Sequence, residues 1–365
     1  MPEDRSFVPA FGNKPRRLVG RDEEIAGFLR GLAGPPGHRD RATLCLGQRG
    51  MGKTALLLKF AELAESHGFV AAKATAGVDL LVQLIEGIQA AGSKYVPSNR
   101  RFTGVSVGAL GFSVGLSFTD DTERKASFRA KLSLLCQALE NHEKGVLLLV
   151  DEVTADDEQI RQLATAYQEL VGEGRNIAIA MAGLPAAVSS VLNDKVLTFL
   201  NRARKIQLGP LPLADVTVDY FNTFKELGKS ISVDDLGRAV AATMGYPYLL
   251  QLIGYYLLEF TGADSEISSA TVDLAINTSR TAMVDGIFTP SLSPLSKRDR
   301  EFLEAMSLDD ETSDIADITQ RLGVTAASAQ QTRRRLIASG VIIPSGTGQL
   351  QYALPYLGPF FRGTL

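Results

Sequence analysis

"GQRGMGKT", Gly47 to Thr54, decides how the rest of this 365-residue chain is read. The residues before it, Arg41 to Leu46 (RATLCL), have the short apolar form of a buried strand, and Thr54 to Ser66 carries apolar residues at helical spacing. The glycine-rich stretch is therefore a strand-to-helix turn. Gly47, Gly50 and Gly52 let the backbone wrap until its N–H groups point at phosphate oxygens, and the helix beginning near Lys53 adds the partial positive charge of its N-terminus. The G-x-x-x-x-G-K-T spacing in this setting is that of a P-loop. It assigns nucleotide contact to Gly47, Gln48, Arg49, Gly50, Met51, Gly52, Lys53, Thr54 and Ala55. Lys53 is expected to reach the β- and γ-phosphates, and Thr54 to give its hydroxyl to Mg2+.

Such a turn predicts a second strand that ends in an acid facing the metal. "GVLLLVDEV", Gly145 to Val153, has that form, with five apolar residues followed by Asp151 and Glu152. Unbroken apolar character over Val146 to Val150 fits a central parallel strand covered on both faces. Asp151 is the expected metal ligand with Thr54, and Glu152 the expected general base that polarises the attacking water. The adjacent Asp-Glu pair favours ATP hydrolysis of the additional-strand type. No Asn-Lys-x-Asp tetrapeptide that would read guanine is present. ATP with Mg2+ is the expected cofactor pair.

Composition bounds the remaining possibilities. The length points to two or three domains rather than one core. A charged fraction of 22% and an apolar fraction of 45% are those of a soluble globular protein, and no run approaches the ~18 apolar residues of a membrane helix. The opening Met-Pro-Glu-Asp-Arg-Ser lacks the basic and apolar regions of a secretory signal, so a cytoplasmic location with no membrane partner is expected. Cys45 and Cys136 lie in apolar stretches without metal-ligand spacing and read as buried thiols. A net charge of −3 argues against a chain that coats nucleic acid by bulk electrostatics, while leaving room for a local basic face.

"LVGRDEEI" (Leu18 to Ile25), the two motifs above and "GYPYLLQLIGYYL" (Gly245 to Leu257) together resemble the AAA+ superfamily. The branches it is most similar to are the ATPases related to origin-recognition and replication-licensing initiators and the STAND-like signalling ATPases. The resemblance spans nearly the whole chain. It implies an α/β P-loop core with a parallel sheet, a helical lid and a C-terminal winged helix-turn-helix. It also implies that Val19, Gly20 and Arg21 lie near the adenine; read without the family, Arg21 to Glu24 is an acidic first turn of a helix. "NIAIAMAGLP", Asn176 to Pro185, is another buried strand, but Ala182 and Gly183 stand where the superfamily places a polar γ-phosphate sensor. Tyr246 and Pro247 match the Gly-x-Pro of the signalling branch, whose proline packs beside the nucleotide, although a plain helix start also suits a proline there. Arg202 and Arg204 occupy the region from which AAA+ oligomers send an arginine to the neighbouring subunit's γ-phosphate; solvated basic residues at a helix end are the other reading.

These readings divide the chain into a core over residues 1–212, a lid over 213–290 and a winged-helix domain over 291–365. Within the core, "VSVGALGFSVGLSF", Val105 to Phe118, alternates apolar with small or polar residues, so a β-hairpin insertion is expected near 102–119. Such a hairpin projects toward a partner or packs on the core.

In the last segment, "REFLEAMS", "IADITQRLG" and "TAASAQQTRRRLIASG" read as three helices and "VIIPSGTGQLQYAL" as the two strands of a wing. A third helix of this kind enters the major groove and a wing contacts the backbone, which makes Ser328, Gln331, Arg333, Arg334, Arg335 and Gln349 candidate DNA contacts. The three adjacent arginines, turned by ~100° each, cannot all face one groove. All eight acids of residues 295–365 precede Ile318, leaving five arginines and no acid after it. That polarity favours duplex DNA as a partner. Winged helices also dock proteins, so three readings follow: an ATP-driven DNA-associated protein that assembles as a homo-oligomer, a nucleotide switch acting on a protein partner, and an accessory ATPase serving a mobile-element or defence partner.

Overall fold

The structure, a computed structural model, describes residues 6–9, 15–96, 121–154, 157–192 and 198–365. The hairpin expected near 102–119 lies outside the described residues. The core runs α1 (Asp22–Ala33), β1 (Ala42–Gly47), α2 (Lys53–Ser66), β2 (Phe69–Thr75), α3 (Leu80–Gly92), α4 (Asp121–Glu140), β3 (Gly145–Val153), α5 (Glu158–Gly172), β4 (Ile177–Gly183), α6 (Pro185–Leu192) and β5 (Arg204–Leu208). The five strands form one parallel sheet in the order β2-β3-β4-β1-β5. β4 stands between the strand of the glycine-rich turn and the strand ending in Asp151, the additional-strand arrangement that the Asp-Glu pair implied.

Because every strand neighbour is parallel, helices cover both faces and the central strands are apolar on both sides. In β3, Val146, Leu148 and Val150 join the core on one face and Leu147 and Leu149 the core on the other, and all five are fully buried. Phe28 of α1 stacks on Phe60 of α2 with ring centroids 3.9 Å apart, fixing the first helix over the second.

The next elements are α7 (Leu213–Glu226), β6 (Ser230–Ile231), α8 (Val233–Ala242), α9 (Pro247–Thr261), β7 (Glu266–Ile267) and α10 (Ser269–Met283). They form a helical unit around Val216, Tyr220, Phe224, Leu250 and Leu257, with Phe7 of the N-terminal segment inserted edge-on against Tyr220. β6 and β7 are two-residue strands, so this unit is almost wholly helical.

A π-helical turn over Val284–Phe288 and α11 (Thr289–Leu292) lead into α12 (Lys297–Met306), β8 (Ser313–Asp314), α13 (Ile315–Leu322), α14 (Ala326–Ala338), β9 (Ile342–Pro344), β10 (Gln349–Tyr352) and α15 (Leu357–Arg362). The three strands pair antiparallel in the order β8-β10-β9. Local chemistry sets the helix ends. Ser296 and Asp299 form a reciprocal capping box at α12, Gly323 ends α13 at φ +61°, and Thr325 caps α14 by accepting from the Ser328 amide. This unit packs on the rest of the chain. Tyr356 Oη donates to the Ala242 carbonyl at 2.7 Å, the Arg280 guanidinium lies over the Tyr356 ring, and Met306, Ile318, Leu336 and Val341 are continuous with the apolar cluster under the sheet.

Candidate active site

The glycine-rich turn leaves β1 at Gly47 and enters α2 at Lys53, and Gly50 and Gly52 take φ of +73° and +81°. Left-handed backbone at two positions out of three is open to glycine at little cost and strained for other residues. Lys53 turns its ammonium back over the loop and donates to the carbonyls of Gly47 and Gln48, each at 2.8 Å. Burial lowers its pKa to about 8, against the opposing pull of Asp151.

Thr54 Oγ1 donates to Asp151 Oδ2 at 2.7 Å, joining the two residues expected to share a metal. Lys73 Nζ of β2 lies 3.8 Å from the same carboxylate oxygen. Asp151 is buried, and its other oxygen accepts from the Glu152 amide at 3.0 Å. Glu152 itself is exposed and sits at φ +56°. At this point the pairing of β3 with β4 shifts register between Val150 and Val153. A break of that kind re-aims a side chain at the end of a strand, and strained backbone concentrates at functional sites. At the end of β4 a Cβ on Gly183 would lie 2.9 Å from the Val153 carbonyl oxygen. No side chain fits there without displacing β3.

These residues open into a cavity of about 540 Å³ between the sheet's C-terminal edge and the helical unit, within the usual range for small-molecule sites. Arg49, Gly50, Met51, Gly52, Lys53, Thr54, Ala55, Asp151 and Glu152 line one part of it. Val19, Arg21 and Pro247 also line it, with Leu18, Leu211, Leu250 and Gln251. Arg21 is held by a 2.6 Å hydrogen bond to the Gly209 carbonyl and an ion pair with Glu24.

Other expected residues stand apart from the cavity lining. Gly20 does not line the cavity; at φ +61° against Asp215 and Pro212 it provides the bend between Val19 and Arg21. Gly47 and Gln48 do not line it either, and the Gln48 side-chain oxygen lies 2.6 Å from the Cβ position of Gly340. Tyr246 is buried behind the turn and outside the cavity lining, where its hydroxyl donates to the Arg49 carbonyl and supports the loop. Arg204 is committed within its own chain. Its guanidinium fills the space above Gly27, where a Cβ would lie 1.0 Å from Nη1, and Nη2 donates to the Glu23 carbonyl at 3.1 Å. Arg202 faces solvent.

The candidate DNA contacts separate in the same way. Gln331, Arg334 and Gln349 are exposed. Arg335 is tied to buried Asp299 through Nη2 at 2.6 Å, Arg333 is half-buried beside Gln330, and Ser328 accepts from Arg298. Gln331 and Arg334 share one face of α14 with Ala327 and Ala338.

Sequence reasoning missed Lys73, beside Asp151, and Gln251, Asp285, Gly286, Ile287, Pro290 and Ser291 of the cavity wall. Lys73 alone carried a signal, being the one charge in the strand FVAAKAT. The others are placed by tertiary packing.

Residues 17–180 match the AAA ATPase domain, and residues 285–361 match a domain of unknown function. No curated protein matches the chain at a significant level. Among solved structures, the chain is similar to the Walker-type ATPase PABY2304 of Pyrococcus abyssi, with 17% identity, a TM-score of 0.68 and coverage of 97% of this chain and 99% of that one. It is also similar to the ORC2 protein of Aeropyrum pernix, solved as ADPNP and ADP complexes, with 16% identity, a TM-score of 0.64 and coverage of 99% and 98%. At these identities the likeness is one of fold.

Proposed function

We propose that this chain, an AAA+ P-loop ATPase similar in fold to origin-recognition proteins, binds ATP with Mg2+ in the cavity between core and lid. On this reading hydrolysis is coupled to duplex DNA held by the C-terminal unit. The observation that carries the nucleotide part is the joining of Thr54 to Asp151 beside Lys53, at the mouth of a turn whose Gly50 and Gly52 take left-handed backbone. Two hard oxygen donors held together suit magnesium. Bound Mg2+ would neutralise phosphate charge and orient the phosphate chain. Thr54 and Asp151 hold that position, Lys53 exchanges its two carbonyl partners for phosphate oxygens, and Glu152, aimed into the cavity by the break in β3, takes the proton of the attacking water.

The domain division is proposed as a core over residues 1–212, a lid over 213–290 and a winged helix over 291–365, its third helix being α14 and its wing β9 and β10. Gln331, Arg334 and Gln349 form the proposed DNA face, supported by their exposure and by the absence of acids after Ile318. Assembly into a homo-oligomer would bring Arg202, the free member of the arginine pair, toward a neighbour's nucleotide. A cytoplasmic location accords with these partners; among the described residues no helix is long and apolar enough to cross a membrane.

A second reading is favoured by the docking of the C-terminal unit on its own chain through Tyr356, Gly340 and Val341. There the protein is a nucleotide switch, or an accessory ATPase, acting on a protein partner. ATP turnover measured with and without duplex DNA, at low and moderate salt, separates the two. A rise with DNA that salt suppresses and Arg334→Ala abolishes supports DNA coupling. Turnover indifferent to DNA, with no DNA bound, rejects it.

A further inference from the structure

Lys73 is the one charged residue of β2 (FVAAKAT). Alternation along the strand puts Val70, Ala72 and Ala74 in the core on one face of the sheet and Phe69 in the core on the other. Lys73 falls on the second face, which α2 covers with Leu56, Leu57 and Phe60. There it stands in register with Leu149 of β3, and the two strands stay paired as far as Thr75 and Asp151. The Ala76 amide, donating to the Asp151 carbonyl at 2.9 Å, holds the same junction. The backbone therefore fixes where the lysine stem begins, and the stem carries its ammonium to 3.8 Å from Asp151 Oδ2.

That oxygen is the one that accepts from Thr54 Oγ1, so the ammonium stands beside the two donors assigned to Mg2+. Lys53, Thr54 and Asp151 line the cavity and Lys73 does not, so Lys73 meets the carboxylate from the flank of the site. At 3.8 Å the attraction is one of charge without a hydrogen bond. The Lys73 side chain is 34% exposed and that of Asp151 7%, so a solvated cation on a flexible stem faces a buried anion. A buried carboxylate is costly without a cation, and in the metal-free protein the lysine supplies one. A divalent ion on the same oxygen is repelled by the charge already beside it. We propose that Lys73 is the resident counter-ion of Asp151 and sets the strength of metal binding there. It neutralises the carboxylate of the metal-free site and opposes Mg2+ at Asp151, so that the ion is held firmly only when phosphate oxygens share it. The inference rests on the nucleotide reading of the cavity above. Lys73 is in this respect a positioning residue, acting on the ion through Asp151.

The test is calorimetric titration of the full chain with a non-hydrolysable ATP analogue at one pH, in chelator and in excess Mg2+, together with thermal melting without nucleotide. Lys73→Met is expected to raise the ratio of the two affinities about fivefold, with affinity in chelator within twofold of wild type. Lys73→Arg, which keeps the charge, should restore the wild-type ratio. Mg2+ alone should raise the melting temperature of Lys73→Met more than that of the wild type, because the carboxylate it leaves accepts the ion. A ratio that stays unchanged or falls would overturn the inference, as would a melting temperature lowered equally with and without Mg2+, the mark of a merely structural brace. Affinity lost in chelator would also overturn it, by placing Lys73 on the phosphates. A wild-type chain that binds no nucleotide would instead overturn the reading of the cavity on which it rests.

Discussion

Thr54 and Asp151 are joined by a 2.7 Å hydrogen bond although the strands that carry them toward the site, β1 and β3, are separated by β4. The inserted strand sets the spacing of two donors so that the hydroxyl at the start of α2 meets the carboxylate at the end of β3. Asp151→Asn keeps an oxygen able to accept from Thr54 and removes the charge. Turnover in Mg2+ is expected to fall roughly 100-fold, while nucleotide affinity measured in a chelator stays within twofold of wild type. Equal losses with and without metal would show that Asp151 acts on the loop and not on the ion.

Glu152 is exposed and sits in left-handed backbone at φ +56°, at the register shift between β3 and β4. The proposed base role draws on that exposure. Glu152→Gln keeps the shape and removes the proton acceptor, so hydrolysis is expected to drop by 100-fold or more, on the order of general-base effects, with affinity for ATP unchanged. A variant that hydrolyses at the wild-type rate would remove Glu152 from the mechanism.

Lys53 gives a pH signature. Its folded-state pKa of about 8 lies below the ordinary lysine value because burial opposes the charge. Below pH 8 the ammonium is charged in both the folded and the unfolded chain, and the full burial penalty is present. Between about 8 and the ordinary ~10.4 the unfolded chain binds more protons than the folded one, so stability of the free protein rises with pH across that window. Phosphate restores the charged form, so nucleotide binding at pH 9 should take up close to one proton and weaken relative to pH 7. Calorimetry in two buffers of different ionisation enthalpy measures that uptake, and Lys53→Met should abolish both it and the stability slope.

Gly50 and Tyr246 test how the loop is held. A Cβ at Gly50 would lie 2.2 Å from Tyr246 Oη, and the backbone there has φ +73°. Gly50→Ala should therefore destabilise through two separable causes. Gly50→Ala in a Tyr246→Ala background removes the collision and leaves the backbone strain of about 1–2 kcal/mol. Chemical denaturation of the four members of the cycle should give a coupling well above the ~0.5 kcal/mol expected of independent sites.

Much of this site was legible because its chemistry is local. The span from Gly47 to Thr54 encodes strand, turn and helix in one reading, and Val146 to Glu152 states its own burial and its acid. The polar caps of the C-terminal helices, Ser296, Asp314 and Thr325, likewise act within a few residues of themselves. What failed depended on distant partners. Arg204 and Arg202 differ in sequence only by position, and the absence of a side chain at Gly27, far back in the chain, decides which of them is engaged. Tyr246 and Pro247 are adjacent, yet the turn of α9 sends one behind the loop and the other into the cavity.

The three adjacent arginines of α14 offer the sharpest test of the DNA reading. Arg335 holds Asp299, which also accepts from Ser296 and so closes the cap of α12. Its removal leaves a buried carboxylate without its cation, and Arg335→Ala is expected to destabilise the chain by about 1–3 kcal/mol through that loss. Arg334 makes no such bond and shares an exposed face with Gln331. Arg334→Ala should leave the melting temperature unchanged, weaken binding to a duplex, and reduce the slope of log affinity against log salt by about 1, the signature of one lost phosphate contact. Arg335→Ala measured below its melting range should keep the wild-type salt slope. If instead Arg334→Ala binds duplex as wild type does, with the slope intact, α14 is not the helix that meets DNA, and the exposed face it presents belongs to a protein partner.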